Sequence, residues 1–299
     1  MVDVTLSPTL AQARPKRPNP VVHFIRKQPL GFVGFLIIRL YFVLALGAYW
    51  ISPFHPEEID FAEMLTSPSR EHPMGTDQYG RDVFSRLVYG ARTAMAVGIL
   101  SAFLGCTAGA LIGATSGYFG GRIDNFIQRI VDIMLAFPII VLAMVVVAVL
   151  GKWPVFGVDM NLVVAIALPM VPKMARIARA STLSIAQMPY IDAARAAGYS
   201  HARIVLRHIA PNITAPYLVM VTAFIAQAIL LEASLSFLGL GVTEPTPAWG
   251  LMLSGASADF YKAAPWMILF PGLAITLAVF AFNLFGDSLR DWLDPKMKG

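Results

Sequence analysis

Six long apolar runs set the pattern of this chain, at residues 30–51, 91–116, 133–150, 162–180, 213–238 and 263–285. Each is close to the roughly 20 residues a helix needs to cross the hydrocarbon of a bilayer. Within lipid the backbone has no water to bond with, so a helix, which satisfies its own polar groups, is the economical structure. The expected fold is therefore all-α and integral to the membrane, with six transmembrane helices and both termini on one side.

The polar connections supply the orientation. Arg14, Lys16, Arg17, Arg26 and Lys27 precede the first run. Lys173, Arg176, Arg179, Arg195, Arg203 and Arg207 gather around and after the fourth, and Arg290, Lys296 and Lys298 follow the sixth. Glu57, Glu58, Asp60, Glu63, Asp159, Glu244 and Asp259 fall on the opposite side. Lys and Arg collect on cytoplasmic loops, so the chain is predicted N-in and C-in, a multi-pass protein of the inner or plasma membrane. Residues 1–29 then form a cytoplasmic tail, and its stretch from Met1 to about Pro20, rich in Pro, Ala and charge, is expected to be disordered. The run after it is too long, and lacks the small-residue cleavage site, for a signal peptide. Residues 30–90 hold the first span and an extracytoplasmic segment, 91–288 the main membrane domain, and 289–299 a second cytoplasmic tail.

Composition agrees. Hydrophobic residues make up 57% and charged residues 14% of the 299, against about 25% charged in a soluble domain. The net charge of +5 does not point to nucleic acid, because the cations sit beside apolar segments. The single cysteine, Cys106, excludes an intrachain disulfide.

One polar, basic segment between apolar runs is organised in detail: residues 189–211, PYIDAARAAGYSHARIVLRHIAP. Pro189 suits a first helical turn, and Asp192 favours the positive end of the helix dipole. Ala193, Ala194, Ala196 and Ala197 propagate a helix. Gly198 is placed to end it with a left-handed cap, and Ser200 to start a second helix. The pattern predicts a small-residue helix, a sharp bend and a basic helix. Small side chains let a partner's backbone approach, so the segment reads as a docking knuckle.

Elsewhere the candidates are sparser. Arg39 lies inside the first run and Glu232 near the outer end of the fifth; charges in such places are costly, and mark either a pathway or a partnered group. Arg39 is read as reaching headgroups or an acid on a neighbouring helix in preference to the pathway. In the extracytoplasmic segment Gly75, Thr76, Asp77, Gly80, Arg81 and Asp82 suggest an ion-pair and cap network, with Thr76 or Asp77 starting the second helix. Asp124 is expected to cap the helix after the Gly120-Gly121 turn. Trp249 and Trp266 are expected at the membrane interface. No ligand spacing supports a metal at His55 and His72. Gly120-Gly121 is no phosphate loop, for no Gly-Lys-Ser/Thr follows. No catalytic constellation is visible.

The 189–211 segment closely resembles the "EAA" coupling loop of ABC importer membrane subunits, here as Asp192-Ala193-Ala194, Gly198 and Ile209-Ala210-Pro211. Asp replaces the usual Glu, and Ala210 the usual Leu. Further segments look like those of dipeptide and oligopeptide permeases: GTDQYGRDVFSRLVYGAR at 75–92, GYFGGRIDNFIQRIVDIMLAFP at 117–138, ASLSFLGLGVTEPTPAWG at 233–250, and FGDSLRDWLDP at 285–295. The resemblance covers nearly everything from about Val21 and is to the C-type permease subunits of dipeptide, oligopeptide and nickel ABC importers.

That resemblance implies a type I importer transmembrane fold over 91–288 and a coupling role for Asp192, Ala193, Ala194, Gly198, Arg203, Arg207 and Pro211. It also implies partners: a second, homologous permease subunit, two ABC ATPase subunits that hold the ATP and Mg²⁺, and an extracytoplasmic solute-binding protein. No cofactor is expected on this chain. Peptides are the leading substrate class, with nickel chelates, glutathione and short sugars as alternatives. An ATPase-independent channel or secondary transporter would call for inverted repeats or broken helices, and an integral-membrane enzyme for paired catalytic groups; neither pattern is evident.

Overall fold

The computed structural model of the chain describes residues 27–155, 157–254 and 259–293. The expectation of a disordered N-terminal tail, and Lys296 and Lys298, lie outside these residues. Helix α1 is Pro29–Ile51, α2 is Val83–Phe119, α3 is Gly121–Ala136 and α4 is Ile139–Leu150. A short hairpin follows, β1 Pro154–Val155 against β2 Val158–Asp159, with Pro154 opposite Asp159. Helix α5, Met160–Ala167, runs through a 3₁₀ turn into α6, Val171–Ala186. Then come α7 Pro189–Ala196, α8 His201–Ile204, a π-helical turn Val205–Ile209 and α9 Ala210–Phe237. Helices α10, Trp249–Met252, and α11, Trp266–Leu293, complete the bundle.

Among the described residues, five helical stretches are long and apolar enough to cross a bilayer: Pro29–Ile51, Val83–Phe119, Met160–Ala186, His201–Phe237 and Trp266–Leu293. The sixth expected span differs. The run 133–150 is broken at Phe137-Pro138, and the axes of α3 and α4 diverge by 96°. Phe137 is extended, with φ −85° and ψ 136°, because a proline disfavours helical geometry in the residue before it. The 12 residues of α4 reach only about 18 Å at 1.5 Å each, short of the ~30 Å hydrocarbon layer. The six-span count therefore holds only with the bent pair taken as one crossing.

Helix α2 is the column of the fold. Its 37 residues are about 55 Å long, so it must project beyond the hydrocarbon. It packs most extensively against α6, and then against α9 and α1. The reason is a ladder of small residues. Gly105, Gly109, Gly113 and Gly117 recur every fourth position, and opposite them the carbonyls of Ala167, Val171, Ala175 and Arg179 do the same. A Cβ added at these glycines would sit 2.8, 2.5, 2.1 and 2.9 Å from those four oxygens. Lipid gives no hydrophobic drive to helix pairing, so close backbone approach through small residues is what holds membrane helices together.

Helix α1 buries Gly31, Gly34, Ile38, Tyr41, Ala45 and Ala48, a stripe spaced by threes and fours that faces α11 and α2. The Tyr41 hydroxyl donates to the Ala274 carbonyl of α11 at 2.9 Å. Trp249, expected at the interface, is instead 1% exposed. It stacks edge-on against Tyr41, donates to the Leu87 carbonyl at 2.9 Å and fills the space left by Gly90. Trp266 donates to the Thr76 carbonyl at 3.0 Å, tying the start of α11 to the loop before α2.

Candidate functional site

The predicted knuckle forms as a folded unit. Pro189 lies in the first turn of α7, with Asp192 in the same turn. Gly198 has φ +76°, a conformation that a Cβ disfavours. Around it the Gly198 N–H donates to the Arg195 carbonyl at 3.0 Å and the Tyr199 N–H to the Ala194 carbonyl at 3.1 Å. These are the two bonds of a Schellman cap, which satisfies the orphan carbonyls of the helix end. The Ser200 side chain then accepts from the Arg203 N–H at 3.3 Å and starts α8. Pro211 sits in the first turn of α9, directly after the π-helical turn, which sequence reasoning did not foresee. Such single-turn π segments concentrate at functional positions.

One face of this unit is buried and the other open. Ile191, Ala194, Ile204, Ile209 and Ile213 form a separate apolar cluster with Ala114 and Tyr118 at the end of α2. The Tyr118 hydroxyl shares a 2.8 Å hydrogen bond with His201 Nδ1, and Arg195 lies over the Tyr118 ring at 5.5 Å. On the open face stand Asp192, Ala193, Gly198, Arg203 and Arg207, all exposed. Asp192 and Arg195 pair at 3.2 Å, and Arg203 stacks over Tyr199 at 4.3 Å. Tyr190, Tyr199 and Leu206 are also exposed. The open face thus offers small residues, aromatics and cations together.

Asp124 does not cap α3; Gly120 holds that position. One turn further in, Asp124 accepts from Arg179 Nε at 2.6 Å and Nη2 at 2.5 Å, and from the Ser116 hydroxyl. This network joins the end of α2 to α3 and α6 beside the knuckle. The Gly-Tyr-Phe-Gly-Gly segment is therefore more than a turn: its Tyr118 seats the knuckle and its neighbours lock α6.

At the other end of α2 stands a cap. The residue that starts the helix is Asp82, which accepts from the Ser85 N–H at 2.7 Å; neither Thr76 nor Asp77 does so. Asp77 organises the turn before it, accepting from the N–H groups of Tyr79 and Arg81. Gly80 is needed there because a Cβ would lie 1.7 Å from the Asp60 carbonyl oxygen. Gly75 admits the Trp266 ring, 2.6 Å from where its Cβ would be. Thr76 pairs in an isolated bridge with Asp82, and His72 Nδ1 lies 3.0 Å from the Asp82 carboxylate.

Arg81 and Arg86, 4% and 1% exposed, converge on Asp77 and on Glu244 from the distant loop after α9. Arg81 Nε meets Asp77 at 2.7 Å and its Nη1 meets Glu244 at 2.6 Å. Arg86 Nη1 donates to the Pro56 carbonyl at 3.0 Å, and its Nη2 lies 3.4 Å from Glu244. Burial works to raise the Glu244 carboxyl, but the Arg81 hydrogen bond and the two guanidinium charges outweigh it and hold the group below its ordinary range. Burial works to lower Arg81, and its bonds to Glu244 and Asp77 reverse that and raise it. Glu244 was foreseen only as a member of the acidic side; a contact across 163 residues leaves no local signal.

The two intramembrane charges have different surroundings. Arg39 is exposed on α1 and has no ion pair among the described residues, so the expected neighbouring acid is not found there. Glu232 is buried, at 1% exposure, and accepts from the Ser236 hydroxyl at 2.7 Å. That hydroxyl also accepts from the Val242 N–H at 3.1 Å, so Glu232 braces the turn after α9. No base pairs with it among the described residues.

Comparison with known proteins places this geometry. The profile of a family described as "Binding-protein-dependent transport system inner membrane component" matches residues 109–299. The dipeptide transport system permease protein DppC of Alkalihalophilus pseudofirmus is 44% identical over 274 residues, 92% of this chain and 88% of that protein. The glutathione transport system permease protein GsiD of Escherichia coli O6:K15:H31 is 44% identical over 275 residues, 92% of this chain and 89% of its own. Among solved structures, a chain of the MetNI methionine ABC transporter in an inward-facing conformation superposes with a TM-score of 0.54 at 18% identity, over 71% of this chain and 97% of that one.

Proposed function

Because this chain belongs to the family of binding-protein-dependent transport system inner membrane components, we propose that it forms half of the translocation pathway of an ATP-driven importer of short peptides. It is a multi-pass membrane protein of type I importer fold. In this reading the termini and the knuckle face the cytoplasm, and a second, homologous permease subunit completes the pathway. Two ATPase subunits hold ATP and Mg²⁺, and a solute-binding protein delivers the ligand to the cap side. The permease itself carries no chemistry.

The observation that carries the reading is the two-faced knuckle. Its apolar side is seated on Tyr118 and Ala114 at the end of α2, while Asp192, Arg203 and Arg207 stay exposed. A rigid contact of this kind can pass the motion of bound ATPases into a helix that runs the depth of the membrane. The two transport states then exchange, with the ATPases biasing one of them. The peptide class is supported by the likeness to the dipeptide permease. The equal identity of the glutathione permease supports glutathione, itself a small peptide, as the second reading.

The test is Gly198→Val. Open space surrounds Gly198, with nothing within 4 Å of an added Cβ, so the substitution acts through backbone conformation and not through a clash. A β-branched residue at φ +76° is strongly disfavoured. The expected result is normal abundance in the membrane with uptake uncoupled from ATP hydrolysis. Uptake at the wild-type rate, with the variant present in normal amount, would refute the coupling role.

A further inference from the structure

Between the cap and the β-hairpin lies a cavity of about 570 Å³, within the roughly 300–1,000 Å³ range of small-molecule sites. Its charged lining comes from three separate parts of the chain, Glu57 beside His55, Arg92 on α2, and Lys152 just before the hairpin with Asp159 in it, and Thr243 adds a hydroxyl from a fourth. In the neighbouring cap, Arg81, Arg86, Asp77 and Glu244 neutralise one another. Within the cavity the pattern is reversed. Arg92, Lys152, Glu57 and Asp159 make no ion pair among the described residues. Lys152 donates one hydrogen bond to Thr243 Oγ1 at 3.1 Å, which leaves two of its three donors for a ligand. Asp159 is held by the Trp153 N–H at 2.8 Å, which uses one carboxylate oxygen. A second cavity, of about 450 Å³ between α4, α9 and α11, has no charged lining among the described residues. Charges of both signs, unspent and lining one space, suit a ligand that itself carries one of each.

We propose that this cavity receives short zwitterionic peptides on their way into the pathway, an assignment that rests on the peptide-importer reading above. Arg92 and Lys152 take the C-terminal carboxylate, where a planar guanidinium can bond in bidentate fashion. Glu57 and Asp159 take the α-amino group.

The test uses the assembled transporter in nanodiscs with its ATPases and binding protein. The probe is alanyl-p-benzoylphenylalanine, as free acid and as C-terminal amide, cross-linked by light and mapped by mass spectrometry. The free acid should label segments 89–97 or 152–162. Arg92→Gln with Lys152→Gln should lower that labelling about tenfold or more, the loss expected for charge-assisted hydrogen bonds. The amide should label weakly in both proteins. Labelling confined to other segments while dipeptide uptake is intact overturns the site and leaves the importer reading standing. Equal loss of acid and amide labelling, together with lost co-sedimentation of the binding protein, also overturns it and makes the surface a docking face. Absence of uptake of any peptide by a transporter with active ATPases overturns the peptide reading itself.

Discussion

Replacing Gly113 by alanine adds one methyl group at the tightest rung of the α2–α6 ladder. The new carbon would lie 2.1 Å from the Ala175 carbonyl oxygen, where ordinary contact begins at 3.4 Å. The obstacle is backbone, and that carbonyl is committed to the helix, so no side chain can swing aside. The helices must separate by about 1.3 Å, which also loosens the neighbouring rungs at Gly109 and Gly117. Overpacking of this kind costs about 1–3 kcal/mol, a factor of roughly 5 to 150 in the folded ratio. Gly272→Ala is the control, because nothing lies within 4 Å of its added Cβ. There alanine should be neutral, or stabilise the helix by about 0.5–1 kcal/mol. Unfolding of the purified chain in mixed micelles, followed by circular dichroism against the mole fraction of dodecyl sulfate, reads both changes. Equal midpoints for the two variants would refute the claim that backbone approach along this ladder holds the bundle together.

Other outcomes follow from the same geometry. Asparagine tolerates the left-handed conformation better than other side chains, so Gly198→Asn should keep most of the coupled uptake that Gly198→Val loses; equal loss in a transport assay would point away from backbone geometry. Asp192→Lys should reduce recovery of the ATPase subunits in a pull-down of the tagged permease, and undiminished recovery would make this exposed acid dispensable. Arg86→Gln removes a buried cation that faces Asp77 and Glu244 and bonds the Pro56 carbonyl; with Arg81 still pairing both acids, it should destabilise the cap by about 1–3 kcal/mol, seen as faster cleavage of the 52–82 loop by added protease. The Glu244 carboxyl titrates below its ordinary 4.5 when folded, so its contribution is fully present above that value. It is lost as pH falls through the lower, folded value. Amide protection in the 75–86 segment, taken as the ratio of intrinsic to observed hydrogen exchange at each pH, should therefore fall as the pH is taken below about 4.5, and Glu244→Gln should flatten that dependence.

Much of the molecule was legible in the order of its residues. Apolar runs of near-bilayer length specify helices because lipid leaves the backbone no other partner. The knuckle was equally readable, since Pro189, Asp192, Gly198 and Ser200 act on their own turns, within a few residues of themselves. The glycine ladder could also have been seen, as Gly105, Gly109, Gly113 and Gly117 repeat every fourth position; what it packs against could not. The break at Pro138 was written in the chain too, although the apolar run across it suggested one straight crossing.

What needed the folded chain was every pairing between distant segments. Trp249 has the composition of an interfacial residue and the position of a core one, because Gly90 opens a space that only helix packing brings to it. Glu244 meets Arg81 across 163 residues, and Tyr118 meets His201 across 83. Local propensities act over one or two turns of helix, so they determine where elements begin, end and bend. Which faces then touch depends on side chains from several elements fitting together at once, and no single stretch of sequence contains that information.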